Sequence, residues 1–355
     1  MADSSPDDPA VEEKPEEKPP IPILEKWMGK SLQWGTRAKP GKKGMTLNSL
    51  NIGIYGEVPE YWEDESRMPR GAYPVRGFVA NNPTLRFKYE QWADNAADLY
   101  EEAIQRRWAS STKIPWDTIR PLPEDVEIAM CQLCTELSQQ ASMELDIITS
   151  WLQQLSYGFY EVKAFLATEV TDAARHCEAF RKRAWANGGG LGLESRGEVN
   201  RMMLETRGGW SEACVYLYLM RGSFTLALYR HGEAFAHNPA EKALFSHCIQ
   251  DKARHISYGL EHLRYSVTHK RDNIVKFNRL LEIGEFLLIK DLEDPVLPEA
   301  LAVIFGGGVK GAKRGMHQVR QLMGDFVNHY LSCSDWLGLN RRGSIPPELA
   351  KYLEI

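Results

Sequence analysis

The sequence has no apolar run approaching the ~18 residues that a transmembrane helix needs, so no membrane span is expected. No signal peptide is visible at its start. Its six cysteines (Cys131, Cys134, Cys177, Cys214, Cys248 and Cys333) show no disulfide-scaffold spacing. They are expected to be reduced thiols, and the protein to be cytoplasmic. A basic excess is also missing. The 43 Lys and Arg against 48 Asp and Glu give a net charge of −5 and a pI near 6.0. No basic face dominates, which argues against nucleic-acid or membrane partners. Strand signal is poor throughout, and nothing inside the chain looks like an inter-domain linker. What is present is hydrophobic content of 43%, enough for a sizeable core. One large domain with extensions is preferred for a chain of 355 residues.

Residues 1–20 are rich in Pro, Glu and Asp with almost nothing apolar, and read as a disordered acidic tail. Residues 21–83 read as an extended arm, with Trp27, Trp34, Tyr55, Tyr61 and Trp62 as buried aromatic anchors. Such an arm either wraps a neighbouring subunit or packs on its own bundle. From residue 84 to about 290 the pattern is helical. Phe87, Tyr89, Trp92, Ala96, Leu99, Tyr100 and Ile104 largely keep the spacing of one apolar face. Long helices are expected near 124–155, 159–186, 208–236 and 240–268, with more at 273–291 and 312–333. Gly158 and Asn238-Pro239 break the runs. Residues 291–355 read as a C-terminal helical extension. The fold class is therefore all-α: a four-helix core from two helix pairs, with flanking helices.

Three local motifs have bland readings. Cys131-x-x-Cys134 lies inside a helical run rather than at a turn, so helix core is favoured over redox or zinc chemistry. The Gly-rich stretches 187–192 and 306–311 follow helices and lack phosphate-loop spacing, so both read as stops. His231, His237 and His247 show no partner spacing.

One phrase occurs twice. Asp172-Ala173-Ala174-Arg175-His176 returns about eighty residues on as Asp251-Lys252-Ala253-Arg254-His255. Carboxylate-bridged di-iron bundles use two copies of a similar phrase, with a glutamate three residues before each histidine. Here those two positions hold Ala173 and Lys252.

The stretches Glu161–His176, Cys248–His255 and Arg107–Trp116 resemble the bacterial di-iron oxygenase and ribonucleotide-reductase small-subunit group of the ferritin-like superfamily. The resemblance covers roughly residues 84–270. It implies a ferritin-like four-helix bundle. It implies that His176 and His255 stand at the histidine ligand positions, that Asp172 and Asp251 are the acids supporting them, and that Glu144 is the glutamate of the first core helix. The third core helix has Arg221 near the place where an acid is expected. Some members of the group use a tyrosyl radical, but Tyr216, Tyr218 and Tyr258 are read as core packing. The implied metal residues are thus Glu144, His176 and His255, with Ala173, Lys252 and Arg221 replacing carboxylates.

Two iron ions need several negative ligands, and the site offers few. A buried lysine beside a carboxylate is satisfied by it, whereas a metal ion beside an ammonium is repelled. An ion pair of Glu144 with Lys252 in place of the metals is expected. Two other readings stay open. Asp172/His176 and Asp251/His255, each spaced i, i+4, fit helix-surface contacts, or Asp and His together ligate a metal in a rearranged site. Arg175 and Arg254 are expected to bond acids across the bundle. The cofactor expectation is none or a non-standard metal site, with iron as the candidate.

Three functions follow. The first is a metal-poor member or partner subunit of an oxygenase-type system, in a homo- or hetero-oligomer with another ferritin-like subunit. The second is an oxidoreductase, a hydroxylase or oxygenase, with a mono-metal or metal-free centre. The third is a bundle that binds a small apolar ligand.

Overall fold

The computed structural model describes residues 34–53, 56–62, 70, 72 and 83–353. The tail over 1–20, Trp27 and Tyr55 lie outside the described residues. Among these residues the structure is helical, with isolated β-bridges and no strand.

The polypeptide enters the bundle in extended form. The helix expected from residue 84 is shorter: only α1 (Ala96–Gln105) forms, preceded by a tight turn over Lys88–Glu90. The reason is tertiary. Leu85 N–H donates to the Gln154 carbonyl at 3.0 Å, and Lys88 N–H to that of Glu60 at 2.9 Å. Those donors are satisfied outside any helix. Phe87, counted on the apolar face, is exposed and packs on the Tyr61 ring. Of the expected aromatic anchors, Trp62 is buried, whereas Trp34 and Tyr61 are exposed.

The first helix pair is α2 (Glu124–Leu152) and α3 (Tyr160–Ala186). Glu124, Asp125 and Glu127 in the first turn of α2 suit its positive end. Gly158 turns the chain between them. A Cβ there would sit 2.4 Å from Trp62 Cγ, so the arm packs on the bundle only because the side chain is absent. Arg70 fastens the same place, with bonds to the Gly158 carbonyl at 2.7 Å and to Glu161 at 2.5 Å. At these points the arm packs against its own bundle.

A short α4 (Glu198–Glu205) follows the glycine-rich loop. The third core helix is composite: α5 (Trp210–Cys214), a π-helical segment (Val215–Met220) and α6 (Arg221–Ala234). The fourth is α7 (Pro239–His269), started by Asn238, whose side chain accepts from Glu241 N–H at 2.9 Å. Then come α8 (Asp272–Leu292), α9 (Val296–Gly306), α10 (Ala312–Trp336) and α11 (Pro347–Ala350). α2 packs on α3 and α6 on α7, while α9 and α10 pack on each other and flank α2 and α6. Cys131 and Cys134 are buried thiols within α2, free of disulfides, and Cys131 Sγ donates to the Ala184 carbonyl at 3.4 Å. No helix among the described residues is long and apolar enough to cross a membrane.

Candidate site at the bundle centre

The doubled phrase lies on α3 and α7, and its two copies face each other. Asp172, His176, Asp251 and His255 are all buried. The reading of these i, i+4 pairs as helix-surface contacts does not hold. Each acid bonds the histidine of the other helix: Asp251 Oδ2 lies 3.0 Å from His176 Nε2, and Asp172 Oδ2 lies 3.1 Å from His255 Nε2. The arginines follow the same exchange. Arg175 donates to Asp172 on its own helix and to Asp251 across, at 2.9 Å. Arg254 donates to Asp251 on its own helix and to Asp172 across, at 3.3 Å. The result is a near-symmetric clamp between α3 and α7.

Glu144, from α2, reaches the middle. Its Oε2 accepts from Lys252 Nζ, and its Oε1 lies 3.1 Å from His255 Nδ1. Glu169, unremarked in the sequence, joins it with its Oε1 3.5 Å from His255 Nδ1. Tyr218, on the π-helical segment, donates to Glu169 Oε2 at 2.9 Å. Trp108 donates from Nε1 to Asp251 Oδ2 at 2.8 Å, and its ring stacks on His247 and contacts the Arg175 guanidinium. Ala173 is fully buried and contributes only a methyl group. Arg221 turns elsewhere. It bonds Asn200 and makes no hydrogen bond or ion pair to Glu144, Lys252 or either histidine. It begins α6, and its side chain leaves on the α4 side of the bundle.

The hydrogen bonds dictate protonation. Glu144 and Asp172 are both acceptors toward His255, one at each ring nitrogen. Both nitrogens therefore donate, and the ring is an imidazolium. Burial alone would lower its pKa; the negative charge of Glu169 and the bonds to Asp172 and Glu144 outweigh that and push it up to about 10. Burial would likewise raise Glu144, but the Lys252 ammonium and His255 hold it well below the ordinary carboxylate range. Glu169 goes the other way. Burial, with the like charge of Glu144, pushes it up to about 8 against the pull of His255 and Lys252. Asp251 stays low because His176 and the two arginines overcome its burial.

Two metal ions, which such a bundle can hold, need a donor set with surplus negative charge. Glu144, Glu169, Asp172 and Asp251 face Lys252, Arg175, Arg254 and protonated His255. With Glu169 raised to about 8 and so protonated at pH 7, three charged acids face four cations, which leaves no surplus negative charge for a dinuclear centre. A metal at His255 would also have to displace a ring proton. The donor set does not fit two metals. One weaker grouping remains: ligand atoms of Glu144, Glu169 and His255 lie within 4.8 Å of one another, and Glu169 Oε1 has no hydrogen-bond partner.

Similar solved structures are R2-like ligand-binding oxidases. A point mutant with anaerobically reconstituted Mn/Fe cofactor is 17% identical, with a TM-score of 0.53 over 67% of this chain and 91% of that one. A second mutant, with aerobically reconstituted Fe/Fe cofactor, gives the same figures. A form with aerobically reconstituted Mn/Fe cofactor is 16% identical, with a TM-score of 0.52 over 68% of this chain and 93% of that one. The fold is ferritin-like, of the R2 type. No family model matches the chain, and no curated protein matches it. The ferritin-like core thus accounts for the four long helices, and the centre must be judged on its own residues.

Three of those residues escaped the sequence reading as site members. Glu169 stands four residues before Ala173, so it shares that face one turn away. The signal was present in the spacing. Trp108 and Tyr218 had no comparable signal, because their roles depend on how separate elements meet.

Proposed function

We propose that this chain is a metal-poor relative of the ferritin-like oxygenase-type proteins, with an internally neutralised cluster of acids and cations in place of the two metal ions. The observation that carries the reading is the pairing at Glu144: Lys252 occupies one carboxylate oxygen and the doubly hydrogen-bonded His255 the other. Lys252 and Ala173 are also the two positions at which the resembled group has glutamates. A role beside a metal-bearing bundle, as a companion subunit, fits a centre of this kind. Any activity of the chain itself would be of the oxidoreductase type, run without a dinuclear centre.

Metal analysis of protein purified from cells supplied with iron and manganese tests this. The expected content is far below one equivalent per chain, and two equivalents would overturn the proposal. A second reading, a single metal ion at Glu144, Glu169 and His255, is favoured by the unpartnered Glu169 oxygen. It requires Lys252 to leave Glu144 and His255 to lose a proton, and one tightly held equivalent would establish it instead. For the companion role, co-purification with a ligand-complete homologous bundle is the expected result; a stable monomer with its own turnover would refute it.

A further inference from the structure

The net charge of −5 is unevenly spread. Residues 1–20 hold seven acids and two lysines, so they carry all of it and the rest of the chain is balanced. Within that rest, residues 300–324 contain Lys310, Lys313, Arg314 and Arg320 and no acid. Lys313, His317 and Arg320, spaced i, i+4 and i+7, share one exposed face of α10. Among the described residues none of the four cations forms an ion pair, and Arg314 donates only to the Gly306 carbonyl, at 3.0 Å.

That face lines a groove of about 610 Å³ between α9 and α10. Val303, Val309 and Met316 give it apolar walls, and Glu299 is the one acid along it. Unpaired cations beside an apolar trough suit an acidic peptide with a small apolar side chain between its charges. The stretch Asp7-Asp8-Pro9-Ala10-Val11-Glu12-Glu13 of this chain has that composition. A second basic stretch, Arg37, Lys39, Lys42 and Lys43, suits it less well. There Lys43 already faces Asp98 at 4.0 Å, with Glu101 and Glu102 on the same helix.

We propose that residues 7–17 dock in the groove between α9 and α10 of their own molecule. Asp7, Asp8, Glu12 and Glu13 meet Lys310, Lys313 and Arg320, and Val11 rests on the apolar walls. Exposed ion pairs are individually weak. Tethering supplies the rest. Thirteen residues separate Pro20 from Trp34 and span up to about 45 Å. A domain of this size has a radius of gyration of about 20 Å. The tether therefore holds the segment over the surface at roughly millimolar effective concentration, which an acidic peptide free in solution rarely reaches. No residue of the Glu144–Lys252 centre lines the groove, so docking is independent of the metal content of the bundle.

Zero-length carbodiimide coupling of carboxylates to amines, on the full chain kept dilute and at low salt, tests the proposal when the links are mapped by mass spectrometry. Links from residues 7–17 to Lys310 and Lys313 are expected, in species of single-chain mass. In His317→Glu/Arg320→Glu, which changes two exposed positions and leaves both lysines in place, those links fall about five-fold. They fall similarly at about 1 M salt, where screening acts beyond about 3 Å. A Glu-specific protease cuts after Glu12 and Glu13 about five-fold faster in the same variant. Links made chiefly to Lys39, Lys42 or Lys43 overturn the proposal. So do links found only in species of double mass, links that the variant leaves unaltered, or an absence of links. Circular dichroism of the variant separates loss of docking from loss of fold.

Discussion

Lys252 and Glu144 meet where water scarcely reaches, and each makes the other's burial tolerable. Removing one partner of such a pair strands a buried charge, at a cost of about 3–5 kcal/mol. Lys252→Met is expected to lower stability by about 3 kcal/mol, at the low end because His255 still faces Glu144. The double variant Glu144→Gln/Lys252→Met removes both charges and should recover most of that loss; urea unfolding measures both. Titration supplies a second prediction. His255 is raised to about 10 and Glu169 to about 8, so the folded chain holds protons that the unfolded chain releases. The stability these groups contribute is full at the acid side of their ordinary values. For Glu169 it declines as pH rises from about 4.5 through 8, and for His255 from about 6.5 through 10. Glu144 and Asp251 have the opposite sign, since both are held low, and their contribution disappears only as pH falls below about 4.5. The melting temperature should therefore fall between pH 7 and 10, and Glu169→Gln should flatten the fall; an equal slope in both proteins would contradict this account. Lys252 and Ala173 were legible in the sequence because the repeated phrase marks their positions. The cross-pairing of acids with the opposite histidines was not, because spacing along one helix cannot show which neighbour a side chain chooses.

The long helices were legible because apolar periodicity, caps and glycine stops agree over many turns. The four core helices fall close to their expected limits. Where tertiary contact decides, periodicity misleads. The segment before α1 has helical spacing, yet its backbone donors bond Glu60 and Gln154 instead. α4 and α9 were not expected as separate helices; α9 is apolar almost throughout, and a run without a polar face has no period to read. The π-helical segment was equally hidden. It brings Tyr218 against α7, where Gly259 makes the space: a Cβ at Gly259 would stand 2.2 Å from Tyr218 Cγ. A fixed ring between two packed helices cannot move aside cheaply. Gly259→Ala is expected to cost about 1–3 kcal/mol, read as a lowered urea midpoint. It should also displace the Tyr218 hydroxyl from Glu169. An unchanged midpoint would mean that the two helices separate freely at this level.

Over the whole molecule, the proposed function separates the ferritin-like scaffold from the chemistry of its centre. α3 and α7 keep the reciprocal clamp of Asp172, Arg175, Asp251 and Arg254, which joins the two helix pairs whatever lies between the histidines. On the proposed reading, the missing element is negative charge, at the positions of Ala173 and Lys252. Restoring it should restore a response to metal. In Ala173→Glu/Lys252→Glu, two carboxylates are added beside Glu144 and Glu169 and one ammonium is removed. With a chelator present, like charges then crowd a buried space, and the variant should melt below the parent chain. Excess Mn(II) should reverse this. An ion bound only by the folded state adds about 4 kcal/mol when its concentration is a thousand times its Kd. The parent chain, whose acids already face Lys252, Arg175, Arg254 and His255, should melt at the same temperature with chelator or with Mn(II). A parent midpoint that rises with Mn(II) as steeply as the variant's would show that Lys252 yields its place to a cation, and the self-neutralised centre would have to be abandoned.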